Sequence, residues 1–183
     1  YPLTKYMVCV LEPGFAANRK VEYRDDTGYI VFIVTLLEVL THLAKLIVSD
    51  GEGASKLIEY KVSKAKNEDI ARKLVKAISD STLVKTAMFG RDPNWGRIIC
   101  ASGNAGVAFN YKNTNLHIGD QENMVTVLKK GKPADFDRNY VKKLLRESNI
   151  SVHLEVNTGE AEAIGWGSDL TTDYVLFNSV YTT

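Results

Sequence analysis

Seven consecutive residues, Asp50-Gly51-Glu52-Gly53-Ala54-Ser55-Lys56, place two carboxylates, two glycines, a hydroxyl and an ammonium in one short stretch. The glycines flanking Glu52 let the backbone bend sharply and leave that carboxylate with little steric cover. A carboxylate presented in this way can meet a cationic group on a substrate. Taken alone, the string reads more readily as a helix C-cap followed by a polar turn, so its weight comes from the company it keeps. A second chemistry-bearing stretch is Asp92-Pro93-Asn94-Trp95-Gly96-Arg97. Here Pro93 stiffens the entry, Gly96 permits close packing, and Asn94 and Arg97 offer amide and guanidinium donors beside an aromatic plate. Trp95 by itself reads as a core anchor.

The elements that must hold these residues follow from hydrophobic period. Residues 35–49 predict a helix with Leu36, Leu40, Leu43 and Ile47 on one face, capped by Thr35 with Glu38 as capping-box partner. So many apolar neighbours place it in a core. Residues 57–62 alternate like a half-wet strand, and Asn67 opens a helix to Ser79 striped by Ile70, Leu74 and Ile78. A short helix is predicted from Arg97 to Gly103. Toward the N-terminus, 6–11 and 29–34 read as strands, separated by the turn Glu12-Pro13-Gly14 and a polar loop closed by Gly28. The last third predicts strands over 107–109, 116–118, 124–128, 151–156, 160–166 and 174–181. It also predicts a helix over 135–147 that buries Tyr140, Val141, Leu144 and Leu145. Lys129-Lys130-Gly131-Lys132-Pro133 is a basic turn facing water.

Composition bounds the partners. The 183 residues suit one α/β domain or two small lobes sharing a core, and 45% hydrophobic with 25% charged content is that of an ordinary globular chain. A net charge of +1, from 23 basic and 22 acidic residues, gives no reason to expect nucleic acid or an anionic membrane. Cys9 and Cys100 are too few for a disulfide framework and lack metal-ligand spacing, and His42, His117 and His153 are scattered and read as structural. No metal is expected. No apolar run looks long enough to span a bilayer, and no signal-peptide pattern is visible.

Five segments, taken in order, resemble one family. They are Asp50-Gly51-Glu52-Gly53-Ala54-Ser55-Lys56, Leu83-Val84-Lys85-Thr86-Ala87, Asp92-Pro93-Asn94-Trp95-Gly96-Arg97-Ile98, Asp169-Leu170-Thr171 leading to Asp173-Tyr174-Val175, and Asn178 with Tyr181-Thr182-Thr183. Together, from about Leu36 to Thr183, they resemble the beta polypeptide of the ornithine acetyltransferase (ArgJ, glutamate N-acetyltransferase) family. The resemblance implies an α/β fold with mixed β-sheets packed with helices, DmpA/ArgJ-like, within a single unit spanning 1–183. It also implies a precursor that cuts itself before a threonine, and an alpha chain that stays bound, as an alpha2-beta2 heterotetramer. The freed threonine would carry an acetyl group from N2-acetylornithine to L-glutamate in arginine biosynthesis. No resident cofactor is implied, although acetyl-CoA serves some members as donor. The compartment implied is the cytoplasm, or the mitochondrial matrix of a eukaryote.

On the same resemblance Glu52, Asn178 and Thr183 are substrate-binding residues, with Glu52 suited to the ornithine amine and the amide and hydroxyl suited to carboxylates. The chemistry is coherent, because an N-terminal α-amine can activate a threonine hydroxyl and a covalent acetyl-enzyme splits the transfer into two easier steps. The chain departs from the pattern at its front. It begins Tyr1-Pro2-Leu3-Thr4, residues 1–34 match poorly, and Thr4, Thr27 and Thr35 are internal, so no nucleophile is assigned. Ser168 stands where a cysteine is commoner, and Phe177 and Val180 alter the tail. An amide or peptide hydrolase of the same N-terminal-nucleophile fold group and a non-catalytic partner chain are the competing readings.

Overall fold

The computed structural model describes residues 27–180. The chain divides into two compact units, residues 1–47 and 48–183. In the first unit the described residues belong to α1, Thr27–Ser49, whose last two residues lie in the second. This helix is apolar around its circumference and has no buried residue; Ile30, Leu37 and Leu46 are all more than half exposed. Three expectations are corrected here. Residues 29–34 are helical rather than extended, because their unbroken apolar run carries no period of two and simply continues the pattern that follows. Thr35 is therefore mid-helix and caps nothing, and the helix is not core among the described residues. With 23 residues and a mean hydropathy of 2.1 over its best window, α1 is also long and apolar enough to cross a membrane by length and composition. A leader segment or the core helix of a soluble protein passes that same test. The expected strand at 6–11 and the calls on Thr4, Cys9 and Thr183 lie outside the described residues.

The second unit is built on β1 (Leu57–Ala65), α2 (Glu68–Ser79), α3 (Thr82–Phe89), α4 (Trp95–Gly103), β2 (Asn115–Gly119), β3 (Met124–Lys129), β4 (Lys132–Pro133), α5 (Arg138–Leu144), β5 (Asn149–Glu155), β6 (Ala161–Ser168) and α6 (Thr172–Val180). The strands form one mixed sheet in the order β4-β3-β2-β5-β1-β6. Among the described strands only the β1–β5 pairing is parallel. That pairing opposes Ile58 to Ile150, Tyr60 to Val152 and Val62 to Leu154, while β2 sets Leu116 opposite Leu154 and Ile118 opposite Val152. The period of two thus gathers every one of these side chains on one face, where all are at most 1% exposed.

Helix α2 seals that face. Asn67 caps it, its Oδ1 accepting from the Ile70 N–H at 2.9 Å, and Glu68 and Asp69 lie where the helix dipole favours negative charge. Ala71, Leu74 and Ile78 are essentially inaccessible, and burying a side chain such as Leu74 or Ile78 contributes about 1.5–3 kcal/mol. At Gly165 a Cβ would stand 2.7 Å from Val75 Cγ1, so a bare backbone on β6 is what lets α2 settle this close. The opposite face of the sheet is polar, and both histidines on it are structural as expected. His153 Nε2 lies 2.7 Å from Ser63 Oγ, and His117 Nδ1 lies 3.0 Å from Thr126 Oγ1.

Three local expectations fail in this unit. Residues 107–109 form no strand. The helix foreseen over 135–147 is only Arg138–Leu144, capped by Asp137 through the Asn139 and Tyr140 N–H groups. It buries Val141 and Leu144 and is followed by buried Leu145, while Tyr140 stays exposed. Residues 174–180 are helical in α6 rather than a closing strand. Thr171 decides that outcome, since its Oγ1 accepts from the Tyr174 N–H at 3.2 Å as a helix-capping hydroxyl does.

Candidate functional site

The turn carrying Glu52 is fastened by a buried carboxylate 113 to 114 residues away. Asp169, only 3% exposed, accepts from the Ser55 N–H at 2.8 Å and the Lys56 N–H at 3.0 Å through Oδ1, and from the Ser55 hydroxyl through Oδ2. Three charge-assisted hydrogen bonds to one buried group fix the exit of the turn rigidly. Lys56 is itself buried, and its ammonium donates to the Glu147 carbonyl at 3.2 Å. Burial pushes that amine's pKa down, against the opposing pull of Asp169.

Downstream of Asp169 the chain grips the same turn again. Thr171 Oγ1 donates to the Gly53 carbonyl at 2.6 Å while capping α6. Gly53 has φ +66°, and a Cβ there would lie 2.6 Å from the Tyr174 nitrogen. No residue but glycine fits a left-handed turn against the first turn of a helix without displacement. Helix α6 is thereby placed so that Asn178 meets Glu52: Asn178 Nδ2 donates to Glu52 Oε2 at 2.9 Å and to the Tyr174 carbonyl at 2.8 Å.

The structure therefore brings together two of the three residues singled out by the motif reading, and Thr183 lies outside the described residues. Both members of the pair are exposed. The direction of the hydrogen bonds matters. Asn178 spends both amide hydrogens on acceptors, and turning the amide over would set its oxygen against a carboxylate and a carbonyl. What Asn178 still offers is Oδ1, and Glu52 still offers Oε1; among the described residues neither has a partner. Two acceptors side by side, one of them charged, suit an N–H-rich cation. Both amide donors of Asn178, expected to meet a carboxylate, are engaged by Glu52 and the Tyr174 carbonyl.

A cation also borders the turn. Lys85 Nζ donates to Ser168 Oγ at 3.3 Å, and Ser168 Oγ lies within 3.9 Å of where a Gly51 side chain would begin. Burial is the main cause lowering the pKa of Lys85, opposed by Asp169 and Asp80. Ser55, Lys85, Asp169 and Thr171 were not singled out from the sequence, although all four stand inside the quoted motifs. Asp169 and Thr171 are buried and Lys85 half-buried, and the first two bond directly to the turn that carries Glu52.

The second chemistry-bearing stretch is structural instead. Asn94 Oδ1 caps α4 through the Arg97 N–H at 3.1 Å, and its amide donates to Asp92 at 2.9 Å. Arg97 Nη1 donates to the Leu83 carbonyl at 2.9 Å and to Thr86 Oγ1 at 3.2 Å, tying α4 to α3. The Asn94 amide and Arg97 Nη1 are used within the fold. Among the described residues no cluster of His, Cys, Asp and Glu could hold a metal ion.

Comparison with known proteins identifies the family and the fold. The ArgJ family model matches residues 4–183, further toward the front than the motifs alone carry the resemblance. The chain is 41% identical over 180 residues to the arginine biosynthesis bifunctional protein ArgJ of Staphylococcus epidermidis, covering 98% of this chain and 44% of that protein. It is 42% identical over 180 residues to the protein of that name from Symbiobacterium thermophilum, with 98% and 44% covered. A crystal structure of the arginine biosynthesis bifunctional protein from Bacillus halodurans superposes with a TM-score of 0.85 at 35% identity, over 91% of this chain and 76% of that one. The chain spans less than half the length of these curated relatives.

Proposed function

The chain belongs to the ArgJ family, and from that premise we propose that it supplies the amine-recognising wall of an acetyltransferase that moves an acetyl group from N2-acetylornithine to L-glutamate. The observation that carries the proposal is the Asn178–Glu52 hydrogen bond, which leaves two acceptors facing outward. N2-acetylornithine keeps one free amine, at the end of its side chain, and that ammonium is the group such acceptors select. Glutamate has no such terminal amine, so its carboxylates call for cations and donors elsewhere, and Lys85 is a half-buried cation that reaches Ser168 beside the turn.

In the reaction, a threonine hydroxyl attacks the acetyl carbonyl of the donor. The hydroxyl proton ends on the departing ornithine amine, and an acetyl ester remains on the threonine. The glutamate amine then attacks that ester, restoring the hydroxyl and yielding N-acetylglutamate. Thr27 and Thr35 both sit within α1, and the reading assigns the nucleophile to neither. The reading includes an alpha chain paired with this one, an alpha2-beta2 assembly and a cytoplasmic setting. It needs no resident cofactor, and acetyl-CoA is an optional second donor.

The test is an assay of acetyl transfer from N2-acetylornithine to glutamate by the intact protein. Ping-pong kinetics with transfer faster than hydrolysis supports the reading. Hydrolysis outpacing transfer would favour an amidase of the same fold group. Inactivity despite an intact alpha chain would leave this chain as a binding wall only.

A further inference from the structure

The far edge of the sheet carries a second concavity, lined by basic side chains and apolar surface together, unrelated to the turn at Glu52. Below the β3–β4 hairpin lies a cavity of about 780 Å³. Among the described residues its walls include Asn115, His117, Lys129, Lys130, Lys132 and Asp135. Three lysines thus line a space that has one acidic residue, Asp135, in its wall. None of the three has an ion-pair partner among the described residues, whereas Lys61, Lys64, Lys73 and Lys76 are all paired with carboxylates. The basic turn that seemed only to face water is gathered around a hollow.

The hairpin is held in place for this. Lys130 and Gly131 have φ values of +47° and +68°, the two successive left-handed residues of a tight hairpin turn. Lysine is an uncommon occupant of that region, where Asn, Asp or Gly is the ordinary choice. Its conformation is held by hydrogen bonds from the Lys130 N–H to Asn115 Oδ1 and from the Gly131 N–H to the Thr114 carbonyl, both 2.9 Å. The floor is polar as well: His117 pairs with Thr126, while the Asn115 amide donates to Glu155 at 2.7 Å. Glu155 is in turn bridged by Lys64 at 2.8 Å, so its charge is already met on the floor's far side.

We propose that this cavity binds a phosphorylated anion carrying at least two negative charges. Several lysine ammoniums act as mobile point charges suited to phosphate oxygens, and a hollow of this volume admits a phosphate with an organic substituent. The floor on β2 lies two strand spacings from β1, about 10 Å, and Asn115 stands level with Ser63, at the opposite end of β1 from the turn. It is thus a site apart from the amine-recognising wall, and it stands or falls independently of the acetyl-transfer reading.

The experiment is calorimetric titration of the intact protein with pyrophosphate, adenosine 3′,5′-bisphosphate and succinate at fixed ionic strength, on wild type and on the double variant K129Q/K132Q. Both lysines are exposed, so the variant is expected to fold and to keep its acetyl-transfer rate. The proposal expects at least one phosphate probe to bind wild type at least tenfold more tightly than succinate, and the double variant to lose at least tenfold of that affinity. Tighter binding of the adenosine probe would assign the phosphates to a nucleotide-bearing molecule, and tighter binding of pyrophosphate to a small phosphate; either upholds the class. Absence of binding by both phosphates, equal binding of succinate, or unchanged affinity in K129Q/K132Q would overturn it.

Discussion

Asp169 and Glu52 are two carboxylates attached to the same turn, and they differ in almost everything except their chemistry. Asp169 is 3% exposed and its two oxygens take three hydrogen bonds from Ser55 and Lys56. Glu52 is exposed and one of its oxygens takes a single amide from Asn178. The first carboxylate is consumed in building the turn, and the second is left exposed by it. An unpartnered acceptor in water costs the fold little and remains free for a ligand, whereas a buried one must be satisfied from within.

The sharpest way to break this contrast is to remove the buried member. Asp169→Ala strands the buried Lys56 N–H and takes the shared acceptor from Ser55, and the expected loss is about 2–3 kcal/mol of folding stability, read by chemical denaturation. Asp169→Asn should fall between, since one amide oxygen can still accept while the NH₂ faces donors. Gly53→Ala ranks next. A left-handed alanine costs about 1–2 kcal/mol, and its Cβ would press on the Tyr174 nitrogen at 2.6 Å. Helix α6 must then retreat, so acetyl transfer should fall together with stability, and a variant with full activity would show that α6 need not sit where it does.

Glu155 is an intermediate case that sharpens the comparison. It is half-buried, and hydrogen bonds from Asn115 and Lys64 pull its pKa from 4.5 down to about 2. A carboxyl that holds its proton less readily when folded contributes stability that is fully present above its unfolded value. That contribution drains away as pH falls from about 4.5 toward about 2. Wild type should therefore lose on the order of 2 kcal/mol more than Glu155→Gln across that window, measured by urea denaturation at stepped pH. Parallel curves would remove Glu155 from the fastened class.

How much of this could be read from the sequence follows the same division. The β1–α2 and β5 segments were legible because one wet face and one dry face impose a period, as in Leu57 through Val62 and Ile70 through Ile78. Helices α1 and α6 were misread in part because they are apolar without being buried in this chain. Ile30 through Val34 and Tyr174 through Phe177 follow no periodic burial, so β-branched and aromatic content pointed to strands. At the site, the glycines around Glu52 identified the exposed carboxylate, and Asn178 followed from the family's motif. Asp169 stayed hidden because nothing local distinguishes a buried aspartate from a surface one; its partners lie 113 and 114 residues away. The orientation of the Asn178 amide likewise depends on the Tyr174 carbonyl, which exists in that place only once α6 is a helix.

The smallest structural change carries the most direct test of the account. Glu52→Gln removes a charge from an exposed position and should move stability by no more than about 0.5 kcal/mol. Calorimetric titration of the intact wild-type and Glu52→Gln proteins with ornithine, and with norvaline as the same skeleton lacking the terminal amine, isolates what that charge recognises. The account predicts that ornithine loses at least tenfold in affinity while norvaline binds both proteins equally weakly. Equal ornithine affinity in the two proteins would contradict it.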